Sequence, residues 1–158
     1  MEIRSRRGVL KNAVTAAAAA FYGISGRRLS AQEMPLVKKD ATARPGASNH
    51  APLPFTSVVS YGNLLFVAGI GCPFEESIEE QTKWVIDQIE KNLTAAGSSL
   101  DKVLKVNVYL EDIKSYERMN AVYKTRNWGK VFPARNTISP AALPGTDRGL
   151  AMDCVAYL

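Results

Sequence analysis

The chain has one histidine, His50, and only two cysteines, Cys72 and Cys154. Neither type recurs at the spacing that wraps a metal ion, so no metal site is expected. Catalysis of the Ser-His or Cys-His kind would rest on His50 alone. That residue sits in "TARPGASNHAPLP", a stretch rich in Pro, Ala, Gly and Ser that reads as a linker with a solvated histidine. Long apolar runs are also missing. The alanine-rich run from Ala13 to Ile24 is about a dozen residues, against the roughly 20 that span a bilayer. Most of the chain lacks net charge. The formal +5 belongs to residues 1–31, with six basic residues and one acid, while the remainder holds 14 of each sign. A neutral body offers no basic stripe for nucleic acid, so no nucleic-acid partner is expected.

What is present begins with "SRRGVLK", Ser5 to Lys11. Paired arginines followed by an apolar residue, Leu and Lys resemble the twin-arginine export motif. The run after it fits a signal core, and "RRLSAQ" offers a small-residue cleavage site after Ala31. The expected organisation is an export signal over 1–31, a flexible linker over 32–51 and one folded domain over 52–158. The body is then expected to be periplasmic or secreted, meeting a membrane only during export. In such a compartment Cys72 and Cys154 are candidates for a disulfide, a pairing the sequence leaves open.

The folded part alternates strands and helices. "FTSVVSYGNLLFVAGIG" gives two β runs joined at Tyr61-Gly62-Asn63, a hairpin. Ser77-Ile78-Glu79-Glu80 is a capping box. Ile78, Val85, Ile89, Leu93 and Ala96 follow it on one helical face, and Gly97 stops the helix. "KVLKVNVYLED" alternates, with Leu104, Val106, Val108 and Leu110 on one face and Val103, Lys105, Asn107, Tyr109 and Glu111 on the other. Asp112 caps a second helix running to about Asn127, its core side formed by Ile113, Tyr116, Met119, Val122 and Tyr123. "ARNTIS" and "LAMDCVAYL" are strands around the loop "PAALPGTDRG". The order β-β-α-β-α-β-β predicts an α+β domain, a sheet with both helices on one face.

This order, with "GNLLFVAG", "NAVY" and "PARNTI…ALP…MDCVA", resembles the RidA family of reactive intermediate deaminases, also called the YjgF family. The resemblance covers about Pro52 to Leu158. It implies a chorismate-mutase-like fold and a homotrimer with clefts between subunits. It also implies hydrolysis of enamines and imines such as 2-imino acids to 2-oxo acids and ammonia, without metal or cofactor. Arg135 matches the family's carboxylate-binding arginine. The physical case is independent: a guanidinium holds a carboxylate by two parallel hydrogen bonds and so orients the imine carbon. The plainer alternative is a surface or interface ion pair. Asp153 falls where active members usually carry a glutamate that positions water, one methylene longer, and a loop one residue longer before it loosens the match. Gly69 matches a glycine whose amide can meet the ligand carboxylate. Asn120 matches a helix asparagine beside the cleft. Phe55 stands where a tyrosine is common, Ala68 where a serine is common and Thr137 where a cysteine is common. These departures keep a second reading open: a small-ligand-binding trimer of the same fold with little or no catalysis.

Overall fold

The computed structural model describes residues 37–41, 54–143 and 149–158. The expected export signal, the cleavage site at Ala31, His50 and loop positions 144–148 lie outside the described residues. Among the described residues, six strands and two helices form one unit. The strands are β1 (Lys39–Asp40), β2 (Val58–Tyr61), β3 (Leu64–Gly71), β4 (Val103–Leu110), β5 (Ala134–Ile138) and β6 (Leu150–Tyr157). The helices are α1 (Ile78–Ala95) and α2 (Tyr116–Tyr123). Strand β1 lies inside the stretch expected to be linker. Its two residues pair with β2, Lys39 opposite Ser60 and Asp40 opposite Val59.

The sheet order is β1-β2-β3-β6-β4-β5. Strand β6 sits between β3 and β4 and is antiparallel to both. So β3 and β4, joined through α1, run parallel to each other. Strands β4 and β5, joined through α2, are parallel neighbours. Parallel neighbours need a crossover, and the two helices supply these connections. At the hairpin, Gly62 takes a φ of 60°, a conformation glycine adopts without steric cost.

The Ser77 hydroxyl accepts from the Glu80 amide, so the capping signal marks the start of α1. Val85, Ile86, Ile89 and Leu93 are fully buried against the sheet. The core joins them to Leu65, Val106, Val108, Met119, Met152 and Ala156. Trp128 is also buried: its indole N–H donates to the Tyr123 carbonyl at 2.8 Å, and its ring stacks on Tyr123 at 4.5 Å. Arg126 pairs with Asp87 and, at 3.1 Å, with Glu90, tying the chain after α2 to α1.

Two expectations need correction. Strict alternation along β4 breaks at its start: Val103 is buried while Leu104 is 47% exposed. The register against β6 shifts between Val103 and Lys105, and such an irregularity turns the first two side chains over. The second helix is shorter than expected. Ile113–Ser115 form a 3-10 turn, α2 ends at Tyr123, and Ile113 is 51% exposed rather than in the core. The Asp112 side chain caps that turn by accepting from the Lys114 amide.

Ile89 has no solvent exposure and faces the centre of the core. Ile89→Ala should therefore destabilise the fold by about 2–5 kcal/mol, read as a lower urea midpoint with unchanged slope.

Candidate functional site

The helix-covered face of β5 carries the first group of polar side chains. Arg135 pairs in register with Val106, and Thr137 with Val108. Both valines point into the core, so Arg135 and Thr137 point to the helix side at the open edge of the sheet. There α2 supplies two aromatic rings. The Arg135 guanidinium lies 4.5 Å from the Tyr123 ring centroid and 5.7 Å from that of Tyr116. It also donates to the Tyr116 hydroxyl at 3.3 Å. None of the ion pairs among the described residues involves Arg135. Stacking on a ring holds the guanidinium plane while leaving donors free for a planar anion.

Three side chains that line clefts with this arginine carry a buried oxygen without a hydrogen-bond partner among the described residues: Asn120 Oδ1, the Tyr123 hydroxyl and Thr137 Oγ1. A buried polar group left unpaired costs about 1–3 kcal/mol. Two clefts flank Arg135. One, of about 620 Å³, is bordered by Tyr116 and Thr137; the other, of about 410 Å³, by Asn120, Tyr123 and Phe132. Hydrogen bonding from Asn120, then from Arg135, lowers the Tyr116 hydroxyl below its usual pKa. Burial instead pushes the Tyr123 hydroxyl up to about 12, against the pull of Arg135.

The second group lies on the opposite face of the sheet. Asn107 is directly across from Asp153, and Tyr109 across from Ala151. Asp153 Oδ1 accepts from the Asn107 amide at 2.8 Å, and Oδ2 from the Tyr109 hydroxyl at 2.7 Å. The bond to Asp153 raises the Tyr109 pKa, so the phenol keeps its proton. Beside this pair is a cavity of about 410 Å³ bordered by Gly69, Gly71, Tyr109, Leu143 and Ala151. The register of β3 against β6 slips between Val67 and Ile70, and Gly69 lies in that irregular stretch. A Cβ built on Gly69 would meet nothing within 4 Å.

The expected site residues therefore fall into two sets. Arg135, Asn120 and Thr137 come together on the helix face. Asp153 and Gly69 lie on the bare face, and one chain does not bring them to Arg135. Phe55 is 57% exposed and borders none of these cavities. Sequence reasoning missed Tyr116 and Tyr123, which read as core positions of the second helix, and Asn107 and Tyr109, which read as the polar face of a strand. Alternation does place Asn107 and Tyr109 on one face. Their partnership with Asp153 depends on β4 and β6 being neighbours, which no local pattern states. The cysteines do not pair. Both are buried free thiols: Cys154 is opposite Val67, whereas Cys72 follows the Gly71–Ala151 pair further along the sheet.

The fold and these paired clefts define a protein class that comparison with known proteins makes specific. The family model described as "Endoribonuclease L-PSP" matches residues 46–158, and the chain belongs to that family, which is the RidA/YjgF family. A RutC family protein of Pyrococcus abyssi is 38% identical over 111 residues, covering 66% of this chain and 86% of that protein. The chloroplastic Reactive Intermediate Deaminase A of Arabidopsis thaliana is 28% identical over 159 residues, covering 89% and 82%. The crystal structure of yeast Mmf1 superposes with a TM-score of 0.63 at 29% identity, covering 68% of this chain and 89% of that one. The expected α+β fold of this family, with two helices on one sheet face, is the observed one.

Burial raises the Cys154 thiol from its ordinary 9.0 to about 12, with Asp153 adding to the shift. Above pH 9 the unfolded chain has lost a proton that the folded chain keeps, so stability falls as pH rises toward 12. Cys154→Val should remove the part of this decline that begins near pH 9, measured by urea unfolding at stepped pH.

Proposed function

We propose that the chain hydrolyses 2-imino acids to 2-oxo acids and ammonia as a homotrimer whose active sites lie between subunits. The observation that carries this reading is Arg135 lying over the Tyr123 ring, unpaired with any carboxylate among the described residues and sharing its clefts with side chains whose buried oxygens lack partners among them. A substrate carboxylate would take two parallel hydrogen bonds from the guanidinium. The Tyr123 and Thr137 hydroxyls, which have no hydrogen-bond partner among the described residues, are candidates to donate to the same anion. Family membership and the name of the Arabidopsis relative support deamination as the chemistry.

Water must then add to the imine carbon, and the resulting carbinolamine must lose ammonia. Asp153 is the candidate for holding that water. An ionised carboxylate has about four acceptor positions, and Asn107 and Tyr109 occupy two. Since Asp153 and Arg135 lie on opposite sheet faces, a small substrate reaches both only where the helix-side edge of one copy meets the bare face of another. A monomer would hold two half-sites. The alternative, ligand binding without turnover, is favoured by one feature: both Asp153 oxygens already accept a hydrogen bond within the chain.

Two outcomes test the reading. Arg135→Ala should lower kcat/KM for freshly generated 2-iminopropionate by about a hundredfold or more, and Arg135→Lys should restore little, because an ammonium lacks the planar fork. Turnover unaffected by either change sinks the carboxylate role. Separately, co-expressed Arg135→Ala and Asp153→Ala chains should complement. With random assortment in a ring of like interfaces, about a quarter of the sites are intact although each parent is inactive. No recovery in mixed trimers rules out a site shared between copies.

A further inference from the structure

We infer that the bare-face cavity receives the side chain of the substrate and selects 2-imino acids with bulky, branched apolar side chains over alanine-derived ones. This rests on the deaminase reading above and adds the substrate class. The cavity floor is almost bare of side chains. Gly69 and Gly71 contribute none and Ala151 a methyl, while Leu143 and Pro140 form apolar walls. About 410 Å³ is far more than a methyl group fills.

Polarity points the same way. Among the described residues bordering the cavity, Tyr109 has the only polar side chain, and its proton is donated to Asp153. Asp153 itself does not border the cavity. A hydroxyl or charged group entering there loses water and finds no free side-chain donor among the described residues to replace it. An apolar group gains about 25 cal/mol for each Å² it buries. The carboxylate and the side chain of one imino acid would then be read by different copies, Arg135 on one and this cavity on the next.

The test compares 2-imino-4-methylpentanoate with 2-iminopropionate, both generated in place, on the full trimer. The native chain should favour the branched substrate by about tenfold or more in kcat/KM, and Ala151→Leu should cut that ratio by about tenfold. Gly69→Val narrows the same cavity from β3, where an added Cβ would meet nothing within 4 Å, and serves if Ala151→Leu fails to fold. A ratio near one in the native chain, or a ratio unmoved by the filling variants, overturns the inference while leaving deamination standing. If neither imino acid is hydrolysed, deamination itself fails. The cavity is then read by calorimetry with the 2-oxo acids. Binding of 4-methyl-2-oxopentanoate about tenfold tighter than pyruvate, lost in Ala151→Leu, supports the selectivity; equal affinity, or no binding of either, overturns it.

Discussion

Side chains alternate along a strand, and two helices cover only one face of this sheet. Every functional position inherits its place from that constraint. Val106 and Val108 point into the core, so their register partners Arg135 and Thr137 are drawn to the helix side. Asn107 and Tyr109 fall between them and face the other way, with Asp153 and Ala151 beside them. A shift of one residue in either strand would exchange the two sets. The apolar core thus specifies the site indirectly, by locking register.

The Arg135 cluster illustrates how a charge is held without an ion pair among the described residues. Its place on an edge strand keeps it half-buried, and Tyr123 gives it a face to stack on. Tyr123 is fixed in turn by Trp128, which stacks on its ring and bonds its carbonyl. The clamp is therefore built from the core outward. Its two unpartnered hydroxyls are a local cost that a bound anion or a neighbouring copy can offset, whereas Asn120 Oδ1 accepts and needs a donor. On the bare face the polar groups are already paired, Asp153 accepting from two neighbours. The two faces differ in kind: one carries an arginine without an ion pair among the described residues, the other paired polar groups beside a largely apolar cavity.

Much of the fold was legible because its signals are local. The Ser77 capping box, the Gly62 turn and the apolar spacing of α1 each involve neighbours in sequence. Errors arose where a distant partner decided. The turnover at Val103 and Leu104 comes from the register against β6, about 50 residues away in the chain. The 3-10 turn before α2 replaced a helical turn that the apolar pattern favoured. Strand β1 is two residues long and exists only because β2 is beside it.

The site divides along the same line. By itself the sequence determined which residues could do chemistry: a strand arginine and a strand aspartate, few alternatives in His or Cys, and a family pattern around them. Alternation also determined that Asn107 and Tyr109 share a face. Only the tertiary structure decided that Arg135 is clamped by Tyr116 and Tyr123, that Tyr109 rather than Asp153 borders the bare-face cavity, and that the two sets lie on opposite faces. The reason is physical: which strands become neighbours is set by burying the whole apolar face at once, a sum over the chain that no single segment carries.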